Sequence, residues 1–264
     1  MTDRLLSLTE AVTLVQPGHT LGLGGNMLYR RPVAFVYELL RQPDPPRDLT
    51  LLCFTAGYES DLLVGAGLVR QTRTCYFGLE AFGFAPMFTQ AANQGQVQVL
   101  EETEASLAYG IRARLAGVGF MPSTAWIGTD LLALRPDVKT VIDPYTGQEL
   151  VAFPAIHCDV AVVHALVADR AGNARLNRNL GIDPELATIA SQVVVTAETV
   201  VDKLSEDVDL PGVMVSAVVH APRGAWPTSC YPHYSLDGSE LLRYIEVCDN
   251  GQFDDYLRAY TGGR

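Results

Sequence analysis

Thr20-Leu21-Gly22-Leu23-Gly24-Gly25-Asn26 is the stretch around which the rest of the chain can be organised. It predicts an apolar strand that ends in paired glycines, and after Arg30-Arg31 a helix is expected to begin at Pro32. Glycine permits positive φ and a close approach of another molecule, and a helix start offers unpaired N–H groups to an anion. The stretch therefore predicts a site for an acyl or phosphate oxygen, with an ordinary strand-to-helix turn as the alternative.

Further apolar runs alternate with helical patterns along the chain. Residues 49–54 form a continuous apolar run, which is typical of a strand buried on both faces of a parallel sheet. A loop is expected over 55–61 and a short helix over 62–64. Further strands are predicted at 74–77, 97–100, 159–167, 192–196 and 213–219, with a hairpin of 139–142 and 150–153. This alternation predicts an α/β fold.

Length and composition bound the class of protein. At 264 residues and 48% hydrophobic, the sequence predicts one large domain over 1–264. Apolar runs such as 160–167 fall well short of the roughly 20 residues that span a bilayer, and the first four residues carry no signal-peptide pattern. We therefore expect a soluble, cytoplasmic protein that does not bind membranes.

Charge and cysteine content exclude other classes. The net charge of −11 and the absence of a basic run longer than Arg30-Arg31 argue against nucleic acid as a partner. The 5 cysteines are scattered, with no Cys-x-x-Cys pair, so neither a disulfide framework nor a zinc site is predicted. His157-Cys158 lacks a second ligand pair nearby and is interpreted as structural. No metal is expected.

The order of several short motifs resembles the A-type (alpha) subunit of the family I coenzyme A transferases, especially the glutaconate-type branch. The motifs lie throughout the chain: Gly24-Gly25 with Arg31-Pro32, residues 61–67, Glu80-Ala81-Phe82-Gly83, Glu101 before a helix that leads to residues 119–122, Gly128-Thr129-Asp130, and residues 224–232. The resemblance implies an open, mainly parallel α/β sheet with helices on both faces. Ligands of such sheets bind at the carboxyl ends of the strands.

The resemblance also implies a reaction. In this family a glutamate carboxylate attacks an acyl-CoA thioester, CoA becomes a thioester of that glutamate, and an incoming carboxylate collects it. Coenzyme A is then a substrate rather than a permanently bound cofactor. The nucleophile normally lies in a Ser-Glu-Asn-Gly-type motif of a B-type (beta) subunit, and this chain has no such motif. We interpret Tyr58-Glu59-Ser60 as the A-type version of that loop, and expect a B-type partner in an αβ or (αβ)₂ complex.

Candidate site residues follow from this resemblance. Gly24, Gly25 and Asn26 are predicted to donate hydrogen bonds to the thioester oxyanion, although the family commonly has an aromatic residue where Asn26 stands. Arg30 and Arg31 are predicted either to bind the substrate carboxylate or a CoA phosphate, or to be solvated surface groups.

Two alternatives stay open. A hydrolase branch of the same fold opens a ring in steroid-derived CoA thioesters, and there Glu101 is predicted to act as acid or base. Its neighbours Glu102 and Glu104 are interpreted as solvated acids at a helix start. The second alternative is a mainly structural subunit that shapes and stabilises its partner.

Overall fold

The structure, a computed structural model, describes residues 3–262. Within these residues the strands in chain order are β1 (Leu5–Leu6), β2 (Thr20–Leu23), β3 (Leu49–Leu52), β4 (Thr55–Ala56), β5 (Val69–Thr74), β6 (Tyr76–Phe77), β7 (Gln98–Glu101), β8 (Phe120–Ser123), β9 (Lys139–Ile142), β10 (Glu149–Pro154), β11 (Cys158–Asp169), β12 (Ala174–Arg175), β13 (Ala190–Val201) and β14 (Ala217–His220). The helices are α1 (Leu8–Val12), α2 (Val33–Arg41), α3 (Tyr58–Gly65), α4 (Pro86–Asn93), α5 (Glu104–Leu115), α6 (Leu131–Leu134), α7 (Asp183–Ile189), α8 (Gly238–Asp249) and α9 (Phe253–Thr261).

The main sheet is open and mainly parallel. Its strands follow the order β1-β14-β13-β11-β2-β3-β5-β7, and each neighbouring pair in that order is parallel. The short β12 pairs antiparallel with β11. β2, β3, β5 and β7 are neighbours in the sheet, so the loops that follow them emerge at one edge of it. This confirms the predicted sheet.

Helices cover both faces of the sheet. In β11, Val160 and Val162 pack into one core with helices α1 to α4, α8 and α9, whereas Ala161 and Val163 pack into a second core with α5 and α7. Successive strand residues point to opposite faces, so a strand that is covered on both sides must be apolar at every position. The continuous apolar runs of the sequence reflect these two cores, and the predicted covering of both faces is confirmed.

Gly22 brings one helix close to the sheet. A Cβ at this position would lie 2.8 Å from Cys158 Sγ and 2.8 Å from Leu186 Cδ1 of α7. Only a residue without a side chain leaves room for α7 to pack this close to β2. The close approach places Asp183, the first residue of α7, beside the glycines that follow β2.

Two expected element boundaries were wrong, and one strand was missed. α3 begins at Tyr58, inside the predicted loop, because Glu59, Ser60 and Asp61 in its first turn are buried polar residues that disguise the helical pattern. β5 was missed because it reads Val-Arg-Gln-Thr-Arg-Thr, which is half-exposed and lacks an apolar run. Only the second half of the strand expected at 213–219 forms: Val213 lies in a 3₁₀ turn and is 86% exposed.

Other local predictions are confirmed. Ser7 and Glu10 form a reciprocal capping box at α1, and Asp237 accepts a hydrogen bond from Glu240 N at the start of α8. The predicted hairpin is β9 with β10, and β8 completes this small antiparallel sheet. No helix within residues 3–262 combines the length and apolar character required to cross a bilayer.

Candidate active site

The loop that follows β2 turns sharply at Gly25. Gly24 N–H donates to Val162 O at 2.9 Å and so extends the contact between β2 and β11. Gly25 then has φ +84°, and a Cβ there would lie 2.6 Å from Tyr29 O. Positive φ and the close backbone together require glycine at this position.

Gly25 is held at both of its backbone polar groups by buried charged side chains. Its N–H donates to Asp183 Oδ1 at 2.8 Å, and its carbonyl accepts from Arg31 Nη1 at 3.1 Å. Both side chains are 0% exposed. Gly25 therefore lies between the Asp183 carboxylate, at the start of α7, and the Arg31 guanidinium, just before α2.

Arg30 is the counter-charge of Asp183. Its Nη1 donates to Asp183 Oδ2 at 2.9 Å and to His164 O at 2.7 Å, while Nη2 donates to Asn179 O at 2.8 Å. Burial raises the pKa of Asp183, and the Arg30 charge and the Gly25 N–H oppose that rise. Protonation of Asp183 would leave Arg30 buried without a counter-charge, and this cost opposes the effect of burial.

Arg31 pairs with Glu59 in the first turn of α3. The Arg31 guanidinium contacts Glu59 Oε1, which also accepts from Ser60 Oγ at 2.7 Å. Both side chains of the pair are fully buried. The alternative that Arg30 and Arg31 are solvated surface groups is therefore wrong. Their direct contact with a substrate carboxylate or CoA phosphate stays a prediction, and it would require these internal pairs to open.

Asn26 is half-buried, and its side chain carries a donor beyond those used within the loop. Its backbone N–H donates to Tyr29 O at 3.0 Å, its Nδ2 donates to Asn179 Oδ1 at 3.0 Å, and its Oδ1 accepts from Thr55 Oγ1 at 3.4 Å. The carboxamide has a second N–H. The donor role predicted for the Gly24 and Gly25 N–H groups requires existing hydrogen bonds to break, whereas Asn26 can donate as it stands.

The three glutamates at and after the end of β7 differ in burial and in their neighbours. Glu101 is exposed, and its carbonyl accepts from Arg135 Nη1 at 2.8 Å. The Glu102 carboxylate is buried and accepts from Arg73 Nε at 2.6 Å and Arg135 Nη1 at 3.0 Å. The expectation that Glu102 is a solvated acid is therefore wrong, because the turn into α5 directs it between two arginines.

Glu104 is the exposed first residue of α5, as expected for a solvated acid at a helix start, and it lines a small cavity beside the β3 and β7 loops. The cavity has a volume of about 110 Å³, and its lining is mainly apolar: Phe54, Glu104, Leu107, Ala108, Ile111, Arg112, Ile182 and Glu185. Glu101 is not part of this lining. A larger cavity of about 630 Å³ borders Ala190 and Met214, at the opposite edge of the sheet from these loops. Of these two cavities, the smaller one lies at the carboxyl ends of the strands.

A buried cluster near the Arg30 pair has the composition of a metal site. His164, Glu198 and Cys230 have ligand atoms within 4.8 Å of one another. Burial lowers the pKa of His164, so its neutral ring donates from Nε2 to Glu198 at 2.9 Å and accepts at Nδ1 from Thr196. Glu198 also accepts from Arg223 N and Tyr234. These hydrogen bonds satisfy the carboxylate and both ring nitrogens without an ion.

Sequence reasoning missed Asp183 and Asn179, which lie about 150 positions from the loop they contact. The one available signal was Asp183-Pro184 at a helix start after the strongest apolar strand. Nothing local indicated that this acid would pair with Arg30. Glu59 was identified as part of a motif-like loop, but its burial required the three-dimensional fold.

Comparison with known proteins gives a consistent family. The sequence profile described as "Coenzyme A transferase" matches residues 5–221. The A-type chain of the 3-oxoadipate CoA-transferase from Pseudomonas knackmussii is 35% identical, over 98% of this chain and 94% of its own length. The cholesterol ring-cleaving hydrolase IpdA subunit of Rhodococcus jostii is 31% identical, over 99% of this chain and 93% of its own.

Two solved structures have the same fold over nearly the whole chain. A cysteine-to-serine variant of the decarboxylase AibA/AibB matches with a TM-score of 0.91 and 32% identity, covering 98% of each chain. The glutaconate coenzyme A-transferase of Acidaminococcus fermentans matches with a TM-score of 0.88 and 28% identity, covering 97% of this chain and 87% of that one. Similar folds with similar lengths thus carry out reactions of different classes.

Proposed function

Because the chain belongs to the coenzyme A transferase family, as an A-type (alpha) subunit, we propose that it acts with a B-type subunit to move CoA between carboxylic acids. Its relatives are named as subunits, which implies a partner chain. In this proposal the partner supplies the nucleophilic glutamate. This chain supplies the Asn26 donor and part of the acyl pocket. The complex is αβ or (αβ)₂, and the substrates are an acyl-CoA and a free carboxylic acid.

The burial of Glu59 is the observation that carries the half-site proposal. Glu59 is the glutamate of this chain that stands in the motif-like loop after β3, yet it is 0% exposed and paired with Arg31. A carboxylate in that state cannot approach a thioester carbon without breaking a buried ion pair. The burial of Glu59 therefore supports an attacking glutamate that comes from another chain.

The proposed chemistry is a double displacement. The partner's carboxylate adds to the thioester carbon, the carbonyl oxygen becomes an oxyanion, and the CoA thiolate leaves and then attacks the glutamyl carbonyl to release the first acid. The Asn26 carboxamide donates to the oxyanion, where a preorganised donor is worth about 2.7–4 kcal/mol. The second acid collects CoA by the reverse steps.

Trapping of the covalent intermediate tests this proposal. The complex is incubated with acyl-CoA and then with borohydride, and peptides of both chains are analysed by mass spectrometry. We expect a reduced glutamyl residue in the partner and none at Glu59. Turnover without an adduct would contradict the transferase mechanism, and an adduct at Glu59 would contradict the division of roles.

The ring-cleaving hydrolase is the second candidate, and the IpdA similarity over the full chain favours keeping it. Glu101 was the predicted acid or base, and that role stays a prediction. Both Glu101 and Glu104 are exposed, but Glu104 borders the apolar cavity and Glu101 does not, so Glu104 is the better placed acid. A glutamate beside an apolar cavity suits general acid-base chemistry.

Two matched variants separate these acids. If the complex hydrolyses a cyclic acyl-CoA, we expect Glu104→Gln to lower kcat about 100-fold and Glu101→Gln to leave it within about twofold. The reverse ranking would restore Glu101. If neither variant alters kcat and no adduct forms, the mainly structural subunit becomes the favoured function.

A further inference from the structure

Four buried charges form a row through Gly25. Glu59, Arg31, Asp183 and Arg30 are each 0% exposed, and their charges alternate in sign and sum to zero. Arg31 reaches the Gly25 carbonyl at 3.1 Å and Asp183 reaches the Gly25 N–H at 2.8 Å, so the peptide groups of Gly25 lie in the centre of the row.

Burying four charges to form one turn costs free energy. Buried ion pairs often stabilise a fold no more than apolar residues of similar volume do. Among the described residues, Arg30 Nε, Arg31 Nε and Glu59 Oε2 are also buried without a hydrogen-bond partner, and such atoms are costly. Gly18 reaches φ +79° in a turn where a Cβ would meet nothing within 4 Å. Positive φ alone therefore does not account for the charges around Gly25.

The row acts on Asn26 from two directions. Asp183 and Arg31 fix the backbone of Gly25, the residue directly before Asn26. Arg30 donates from Nη2 to Asn179 O at 2.8 Å, and Asn179 Oδ1 accepts from Asn26 Nδ2 at 3.0 Å. The Asp183–Arg30 pair thus contacts both the backbone that carries the Asn26 side chain and the residue that orients its amide.

We propose that Asp183 and Arg31, with their counter-charges Arg30 and Glu59, are positioning residues that hold the Asn26 carboxamide in the orientation needed to donate to the substrate oxygen. This inference rests on the proposed donor function of Asn26. A donor fixed before the reaction needs no reorganisation when the oxyanion forms. Small misplacements of such a group cost up to about 100-fold in rate.

A double-mutant cycle on the complex with its partner tests the inference. Asp183→Asn keeps the size of the side chain and removes its charge. We expect it to lower kcat about 10-fold to 100-fold with KM within about twofold. In the Asn26→Ala background the same substitution is expected to lower kcat by less than about twofold, because its effect passes through Asn26. Multiplicative losses in the two backgrounds would overturn the inference.

Asp61→Asn is the matched control. Asp61 is also fully buried, but it accepts from Phe88 N at 2.6 Å, Met87 N at 3.2 Å and Tyr244 Oη at 2.6 Å and does not contact Gly25. Assays at about pH 8 keep it ionised, since burial raises its pKa to about 6. We expect lower thermal stability with kcat unchanged. A kcat loss equal to that of Asp183→Asn would attribute both effects to general loosening and overturn the inference.

Hydrogen exchange supplies a readout that does not depend on activity. We expect the peptide containing Gly25 to exchange faster in Asp183→Asn and at the normal rate in Asp61→Asn. Unchanged exchange in Asp183→Asn would contradict the positioning role. Full activity of Asn26→Ala would instead contradict the donor role on which the proposed function depends.

If Asp183→Asn does not fold, Arg31→Lys tests the same arrangement from the other side. Lysine keeps the positive charge opposite Glu59 but lacks the planar fork that serves Glu59 and the Gly25 carbonyl together. We expect the same dependence of its kcat loss on Asn26. Equal losses with and without Asn26 would again overturn the inference.

Discussion

The loop after β2 and the loop after β7 lie at the same edge of the sheet, but they differ in how their charged side chains are buried and paired. In the first, Arg30 and Arg31 are both neutralised by buried acids, and the group left for a ligand is the neutral Asn26 amide. In the second, Glu101 and Glu104 are both exposed, and Glu104 also borders a cavity. The difference teaches that buried charges fix the geometry of the first loop, whereas the second loop leaves ionisable side chains accessible.

The largest loss of stability, and so the strongest test of this contrast, is expected from Arg30→Met. This change leaves Asp183 buried without its counter-charge, and we expect a loss of roughly 3–5 kcal/mol in the free energy of unfolding. Urea unfolding followed by circular dichroism measures it. Arg170→Met is the control, because Arg170 pairs with Asp3 at the surface, with side-chain exposures of 51% and 59%. Its expected loss is within about 0.5 kcal/mol. Similar losses for both variants would contradict the assigned role of burial.

The next effect concerns the turn itself. Gly25→Ala introduces a Cβ that would lie 2.6 Å from Tyr29 O and 2.7 Å from Arg30 O at φ +84°. Gly18→Ala introduces one at φ +79° with nothing within 4 Å. The control is expected to lose roughly 1–2 kcal/mol from backbone conformation alone. We expect Gly25→Ala to exceed it by about 1–2 kcal/mol in the same unfolding experiment. Equal losses would mean that the backbone around Gly25 shifts at little cost to accommodate a Cβ.

The smallest changes in unfolding free energy are expected for two acids of the loop after β7. Glu102→Gln removes the buried charge between Arg73 and Arg135, but Arg135 keeps its contact with Asp137 Oδ2 at 2.8 Å. We therefore expect a modest loss of about 1–2 kcal/mol in unfolding free energy. Glu104→Gln is expected to change stability by less than about 0.5 kcal/mol. A larger loss at Glu104 would assign that acid to structure rather than to chemistry.

Local patterns predicted the parts of the fold whose signal is local. The apolar strands β2, β3 and β11, the helix caps at Ser7 and Asp237 and the hairpin of β9 and β10 each depend on spacing within a few residues. The half-exposed β5 and the polar first turn of α3 were missed because the partial exposure of a strand and buried ion pairs are set by distant neighbours.

The candidate site divides in the same way. The sequence identified the glycines and Asn26, because a glycine pair after an apolar strand is a local signal. It could not identify the partner of Arg30, since Asp183 lies 153 positions away. Nor could it separate Glu101, Glu102 and Glu104, because adjacent glutamates differ only through the cavity and the arginines that surround them.

The most direct test of the account measures how fast the covalent intermediate forms when Asn26 is replaced. The complex is mixed with acyl-CoA under single-turnover conditions, quenched with borohydride, and the reduced glutamyl residue of the partner is quantified over time. The account predicts that Asn26→Ala slows adduct formation about 100-fold to 1,000-fold, the usual loss for an oxyanion donor, without loss of the complex. Adduct formation at the wild-type rate would contradict it.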